Sequence, residues 1–263
     1  MGKLDSRVAV VTGAAMGNGE GIARVMAGHG AHVVLWDVLD QVFETAKAIL
    51  SEGGQAIAYQ VDVRNFEACK TAAEEAIARL GKIDILCNNA GVIRSAVFLK
   101  MSDEDRDFQF DVNIKGVWNC TKAVLPNMKK NGYGKIVIMS SVTGPMVVDP
   151  GETAYATTKA ANWGFTKALA REVARDNITV NAICPGMIRT PMVEQGVRQI
   201  APDNMEAVLE AIAKSIPMGR LGNIYEIGEL AAFLASDEAS YITGTQVVID
   251  GGSTLPETLI VGG

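Results

Sequence analysis

Short apolar runs rich in β-branched residues recur along the chain, and longer segments with helical periodicity separate them. A run that is apolar on both faces predicts a parallel strand covered on both sides. Such runs occur at 8–13, 32–37, 55–62, 83–91, 135–141, 178–186 and 245–252. Their alternation with amphipathic helices predicts an α/β fold with a doubly wound parallel sheet and right-handed crossovers.

The strand–helix rhythm predicts a single domain over residues 1–263, because no linker, low-complexity tract or internal repeat interrupts it. The segment at about 191–217 departs from the rhythm, with a short helical pattern and the turn "APDN". Long excursions of this kind often act as lids. We therefore expect this segment to cover a substrate site.

Composition excludes several classes of protein. A net charge of −6 argues against nucleic-acid and anionic-membrane partners, and no apolar run approaches the roughly 20 residues that span a bilayer. Four scattered cysteines without a CxxC pair, and two histidines, offer no metal site. No signal-peptide pattern precedes the first strand, so we expect a cytoplasmic protein with reduced thiols.

The first predicted strand runs into "TGAAMGNGEG", with Gly13, Gly17 and Gly19 ahead of a helix. Such a turn lets the backbone and the helix N-terminus approach a pyrophosphate. Asp37 ends the next strand, 18 residues after Gly19. Its carboxylate can accept hydrogen bonds from ribose hydroxyls and repel a 2′-phosphate, and Met16 supplies no cation, so NAD is favoured.

Two alternatives to this interpretation stay open. Asp37 could instead cap the following helix. NADP remains possible if Asp37 rotates away and residues near Val38 contact the phosphate.

Further motifs follow in order: "NNAG" at 88–91, Asn113, "SS" at 140–141, "YATTK" at 155–159 and "PG" at 185–186. Together with the glycine turn they resemble the short-chain dehydrogenase/reductase family over essentially the whole chain. The resemblance implies a Rossmann fold of about seven strands, a nicotinamide cofactor and a homotetramer. Asn18 departs from the family, which usually has an aliphatic residue there; its backbone should still serve the cofactor, and its side chain is expected to reach the nicotinamide half.

The resemblance also assigns contacts. The cofactor residues it implies are Asp62 and Val63 at the adenine, Asn89, Ala90 and Gly91 at the ribose, and Pro185, Gly186, Ile188 and Thr190 near the carboxamide. Lys159 would bind the nicotinamide ribose beside Tyr155, and Asn113 would hold a water in a proton relay. Asn88 is expected to brace the sheet.

Tyr155 and Lys159 are four residues apart and share one helix face. Reduction of a carbonyl requires an acid near the new alkoxide. A cation about 4 Å away contributes about 4 kcal/mol at an effective dielectric near 20, which would lower the pKa of the phenol by about two to three units, less the desolvation cost. Ser141, which the family resemblance favours over Ser140 by its separation from Tyr155, ends a strand where it can donate to the substrate oxygen.

The leading hypothesis is an oxidoreductase that interconverts small carbonyl compounds (aldehydes, ketones, β-keto esters or sugars) and alcohols. Met187 and Met192 are candidate substrate contacts, although they could simply pack the lid. A 3-oxoacyl thioester reductase and a non-catalytic nucleotide-binding redox sensor are alternatives; a sensor needs no proton relay. The helices after the fourth and fifth strands, and the tail 255–263, are candidates for contacts between subunits.

Overall fold

The computed structural model describes residues 2–255. Strands and helices alternate along most of this range. The strands are β1 Val8–Thr12, β2 His32–Asp37, β3 Gln55–Gln60, β4 Ile85–Asn88, β5 Gly134–Met139, β6 Ile178–Pro185 and β7 Gln246–Ile249. The helices are α1 Gly17–Gly28, α2 Gln41–Ser51, α3 Phe66–Leu80, α4 Asp103–Phe110, α5 Gly116–Asn131, α6 Thr153–Val173, α7 Pro191–Ile200, α8 Met205–Ser215 and α9 Ile224–Leu234.

All strand pairings are parallel, and the described residues form one seven-stranded sheet in the order β3-β2-β1-β4-β5-β6-β7. The predicted doubly wound α/β fold is therefore confirmed. Several strands end earlier than their apolar runs: β4 ends at Asn88, and the run continues to residue 91. Asn89 and Ala90 leave the ladder because their N–H groups both donate to Thr12 Oγ1, each at 3.0 Å.

The order of the sheet places its switch point between β1 and β4, where the chain reverses direction across the sheet. Ligands of open α/β sheets bind at the carboxyl ends of the strands near such a point. Apolar side chains cover both faces. Ile22, Met26 and Leu35 lie in one core cluster, and Trp36 and Val124 lie in the other, all fully buried.

The lid segment forms α7 and α8, which lie between β6 and α9. Arg189 connects the two helices to the body: its guanidinium pairs with Glu194 at 2.9 Å and with Glu206 at 2.6 Å. Residues 256–263, most of the tail predicted to contact a neighbouring subunit, lie outside the described residues.

Folding brings together two cysteines that are far apart in sequence. The Sγ atoms of Cys69 and Cys120 lie 3.8 Å apart, and all four cysteines are buried free thiols. Within residues 2–255 no cluster of His, Cys, Asp or Glu could hold a metal ion. None of the described helices combines the length and the apolar character needed to cross a membrane.

Candidate active site

A cleft of about 500 Å³ opens at the carboxyl ends of the strands. It brings together most of the residues predicted from the sequence to bind cofactor or substrate. Those that line it are Gly13, Met16, Gly17, Asn18, Asp37, Asp62, Val63, Asn89, Ala90, Gly91, Ser141, Tyr155, Lys159, Pro185, Gly186, Ile188, Thr190 and Met192. Segments separated by more than 170 residues thus meet in one site.

Three glycines shape the turn between β1 and α1, each for a steric reason. Gly13 and Gly17 adopt positive φ angles of 65° and 59°, which side chains rarely tolerate. A Cβ on Gly19 would lie 1.9 Å from the carbonyl oxygen of Gly13. Gly19 does not line the cleft; its role is to let α1 start directly against the turn, with its free N–H groups at the cleft.

Asp37 ends β2 and lines the cleft, where the sequence predicts an acceptor for the adenosine ribose hydroxyls. It is 9% exposed. Its Oδ2 accepts from the N–H of Ala15 at 2.9 Å, and its Oδ1 accepts from that of Leu39 at 3.0 Å. These bonds fix the carboxylate and leave lone pairs for further donors. Asp40, and not Asp37, precedes the first turn of α2, so the helix-cap alternative is wrong.

Arg64 is a cation in the cleft that the sequence interpretation missed. Its guanidinium donates to the Asp62 carboxylate through two nitrogens, from Nη2 at 2.6 Å and from Nε at 3.0 Å. The pairing lowers the pKa of Asp62 below its usual value. Asp62 therefore faces the cleft with its charge already neutralised by Arg64.

The two asparagines of "NNAG" brace the site. Asn88 Nδ2 donates to Thr121 Oγ1 at 3.0 Å, in keeping with its expected role in the sheet. Asn89 Nδ2 donates to the carbonyl oxygens of Thr12 and Gly13, at 3.0 and 3.1 Å. The side chain of Asn89 thus holds the glycine turn, and its contribution to a ribose would come from its backbone.

Ser141 and Ser140 have different surroundings. Ser140 Oγ donates to the carbonyl oxygen of Lys159 at 2.9 Å and so joins β5 to α6. Ser141 Oγ accepts from the N–H of Thr143 at 3.1 Å, which leaves its own O–H free to donate. It also lies within hydrogen-bonding reach of Tyr155, an interaction that lowers the pKa of the phenol. This geometry supports Ser141 as the serine that contacts substrate.

Lys159 is 3% exposed, and its Nζ donates to the carbonyl oxygen of Met139 at 2.9 Å. Burial lowers the pKa of Lys159 to about 8. Two N–H donors of the ammonium group remain for a ligand. The nitrogen lies 5.5 Å from the centre of the Tyr155 ring.

The expected lowering of the Tyr155 pKa is wrong for the ligand-free protein. Burial raises the pKa of Tyr155 to about 12, and the nearby Glu152 carboxylate adds to the rise. Desolvation of the phenol is the largest effect, and it outweighs the lowering caused by the hydrogen bond with Ser141. Tyr155 is consequently a protonated phenol, ready to donate.

Asn113 is fully buried and lies outside the lining of the cleft. It falls in a π-helical stretch, Asp111–Lys115, between α4 and α5. Its Oδ1 accepts from the N–H of Val92 at 2.8 Å, while its Nδ2 donates to Val92 O at 2.9 Å and to Thr158 Oγ1 at 3.0 Å. The side chain ties the β4 loop to α6: both N–H groups of its amide are engaged, and Oδ1 keeps one further acceptor site.

Met187 does not line the cleft and is 43% exposed, and its contact with substrate stays a prediction. In the loop after β6, Ile188 forms an isolated β-bridge with Gly222. The side chain of Ile188 is the one that lines the cleft. Besides Arg64, sequence reasoning missed several apolar lining residues that carry no motif. They are Leu39, Val61, Val92, Phe108, Val112, Met139 and Pro191.

These residues fit a dinucleotide. The glycine turn and the start of α1 present N–H groups to a pyrophosphate, Asp37 presents a fixed acceptor to ribose hydroxyls, and Lys159 retains free donors. Asn18 adds a buried oxygen, Oδ1, that has no hydrogen-bond partner within residues 2–255. An enclosed acceptor of this kind is completed by a ligand or a water.

Comparison with known proteins agrees with this geometry. The family model described as enoyl-(acyl carrier protein) reductase matches residues 13–254. The oxidoreductase UcpA of Salmonella typhimurium is 58% identical over 262 residues, which cover 100% of both chains. The 3-oxoacyl-[acyl-carrier-protein] reductase FabG of Thermotoga maritima is 40% identical, over 95% of this chain and 98% of that protein.

Among solved structures, levodione reductase superposes with a TM-score of 0.91 at 32% identity, over 95% of this chain and 98% of that one. The full-length match to UcpA, the family model and the shared fold point to one assignment. The chain belongs to the short-chain dehydrogenase/reductase family of NAD(P)-dependent oxidoreductases, which act on alcohol and carbonyl groups of small molecules.

Proposed function

We propose that the protein is an NAD-preferring reductase of small, neutral carbonyl compounds, working in the cytoplasm. The observation that carries this proposal is the cluster of Ser141, Tyr155 and Lys159 beside a fixed Asp37 in one cleft. The bound dinucleotide supplies the hydride. Ser141 holds the carbonyl oxygen with its free O–H, and Tyr155 donates the proton that the resulting alkoxide needs.

Lys159 binds the nicotinamide ribose through its free N–H donors and supplies positive charge beside Tyr155. Proton resupply to Lys159 would pass through a water on Asn113. Because both N–H groups of the Asn113 side-chain amide are engaged and its Oδ1 already accepts from the N–H of Val92, we assign that water to the main-chain carbonyl of Asn113 in the π-helical stretch. π-helical turns are frequent at functional sites.

The preference for NAD is supported by charge. Asp37 would repel a 2′-phosphate, and the next residues, Val38 and Leu39, line the cleft without a cation. Arg64 is a cation in the cleft lining, but two of its guanidinium nitrogens already donate to the carboxylate of Asp62. The adenosine end, as far as the structure describes it, therefore has no free cation for the phosphate.

The substrate end favours neutral molecules. Glu152 is half-buried near Tyr155, and burial together with Asp149 raises the pKa of Glu152. Met192 and Val193 add an apolar wall from the lid, and methionine adapts to irregular shapes. A 3-oxoacyl thioester on an acidic carrier would need a basic mouth, and Arg189 is already paired with two glutamates.

We further propose a homotetramer that uses the outer faces of α5 and α6. A second cleft, of about 530 Å³, lies between these helices and is lined mainly by apolar side chains, among them Trp118, Leu125 and Phe165. Trp118 is 59% exposed. Exposed apolar patches of this type mark contact surfaces between proteins.

Oxidation of NADH and NADPH should be followed with a panel of neutral aldehydes, ketones, β-keto esters and sugars. We expect turnover with NADH, and loss of at least about 10³-fold in kcat for Tyr155→Phe with NADH binding retained. Tyr225→Phe, on an exposed tyrosine of α9, is the matched control. NADPH binding tighter than NADH would refute the NAD preference, and an active Tyr155→Phe would refute the acid assignment.

A further inference from the structure

Asn18 places in the cleft a polar atom that has no hydrogen-bond donor in the described part of the chain. Its Oδ1 is buried and accepts no hydrogen bond from any described residue, although the residue lines the cleft. A carbonyl oxygen shielded from water without a donor destabilises the folded protein. The chain retains this arrangement at the tip of the glycine turn, which suggests that something else supplies the donor.

The neighbours of Asn18 indicate which part of the dinucleotide it meets. A Cβ on the adjacent Gly17 would lie 3.6 Å from Thr190 and 3.7 Å from Pro191. Asn18, the next residue and part of the cleft lining, therefore lies close to the loop after β6, whose residues the family resemblance assigns to the carboxamide. The pyrophosphate offers only acceptors, so it cannot satisfy Oδ1. The nicotinamide half offers carboxamide N–H and ribose O–H donors.

We propose that Asn18 Oδ1 accepts a hydrogen bond from the nicotinamide half of the bound dinucleotide, either from its carboxamide N–H or from its ribose hydroxyl. Asn18 is then a positioning residue: it orients the reacting ring through its side chain, where an aliphatic residue could only pack. This inference rests on the proposed function, because it requires the dinucleotide to lie with its nicotinamide beside Thr190.

Titration calorimetry on the full chain tests the contact with two variants. Asn18→Ala removes the amide without adding bulk, and Asn18→Ile substitutes an aliphatic side chain of similar length. Both should bind NADH roughly three- to ten-fold more weakly than wild type, the usual effect of losing one neutral hydrogen bond. Both should bind ADP unchanged. The ligand-free Asn18→Ile protein should also melt at a higher temperature, because the unpaired acceptor is gone.

Two analogues identify the donor. The 3-acetylpyridine analogue of NAD carries a methyl group in place of the carboxamide NH₂, and ADP-ribose keeps the ribose hydroxyls without the ring. If the carboxamide donates, wild type should lose affinity for the acetylpyridine analogue relative to NAD, and Asn18→Ala should be indifferent to that exchange. If the ribose donates, Asn18→Ala should bind ADP-ribose more weakly than wild type does. Asn131→Ala, at the exposed end of α5, is the control.

Other results would overturn the inference. Unchanged or tighter NADH binding in Asn18→Ala rejects the hydrogen bond. NADH binding that is weakened only in Asn18→Ile indicates that the isoleucine side chain clashes with the dinucleotide. Weaker ADP binding in Asn18→Ala places the contact at the pyrophosphate. These outcomes leave the proposed function standing. A wild-type protein that binds neither NADH nor NADPH rejects both proposals together.

Discussion

Lys159 carries an ammonium group that is 3% exposed and has one protein acceptor, the carbonyl oxygen of Met139. Its pKa falls from 10.5 to about 8 on burial. The unfolded chain therefore holds this proton more tightly, and the cost to the folded state is fully present below pH 8. Stability should rise as the pH increases from 8 towards 10.5, where the cost disappears.

Replacing the lysine should consequently stabilise the ligand-free protein. The pKa shift corresponds to about 3 kcal/mol of destabilisation, which the variant no longer carries. Loss of the hydrogen bond to Met139 O offsets about 1 kcal/mol of that gain in stability. We expect Lys159→Met to be more stable than wild type by about 2 kcal/mol at pH 7 in urea unfolding, with a smaller gain at pH 9.5. Lys167→Met, on an exposed lysine of the same helix, is the control. A variant less stable than wild type at pH 7 would contradict the argument.

For single residues, the sequence predicts which residues form the site better than it predicts their pKa values. The spacing of Tyr155 and Lys159 correctly placed them side by side on α6. It could not weigh desolvation against attraction, because burial depends on β5 and the lid, which are remote in sequence. Arg64 escaped notice for a similar reason, since its pairing with Asp62 becomes visible only when β3 ends beside the cleft.

The turn from β1 to α1 depends on backbone contact at one position of the helix. Gly19→Ala would place its Cβ 1.9 Å from Gly13 O, so either the turn or the helix start must move. We expect a loss of at least about 2 kcal/mol in the free energy of unfolding and no measurable NADH binding. Gly28→Ala, exposed at the other end of α1 with no atom within 4 Å, should keep both. Retained NADH affinity in Gly19→Ala would show that the turn adjusts.

The lid helices depend on a single arginine in a different way. Arg189 pairs with Glu194 on α7 and with Glu206 on α8. Arg189→Gln removes both ion pairs, and we expect amide hydrogen exchange to accelerate several-fold across 191–215 without change in the sheet. Arg198→Gln, on α7, removes a contact with the sulfur of Met205 and no ion pair among the described residues, and it should leave exchange unchanged. Equal exchange in both variants would mean that packing alone holds the lid.

The elements themselves were largely predictable because strand and helix periods differ. The ends were not. The apolar run of β4 extends through Asn89 and Ala90, but Thr12 of another strand captures their N–H groups. The π-helical stretch at Asp111–Lys115 is likewise invisible in the sequence, since its residues have the same apolar spacing as a regular helix.

At the scale of the whole molecule, the largest unexplained feature is the apolar outer face of α5 and α6. Trp118 and Phe165 pack edge to face there, with ring centres 5.1 Å apart. The same continuous stretch of helix carries Asn113 and Gly116, and Gly116 packs closely against Val63 of the cleft. A partner on this face would therefore stiffen the helix that supports both the relay and the adenine end.

Trp118→Glu places a charge in the centre of that face and should dissociate a tetramer into smaller species by sedimentation velocity. Because the Trp118 side chain is more than half exposed, circular dichroism should stay unchanged, while kcat falls as the helix loses its support. Tyr225→Glu, 53% exposed on α9, should sediment like wild type. A wild-type monomer would reject the assembly outright. A Trp118→Glu tetramer would move the contact to another surface and leave the second cleft without a subunit to cover it.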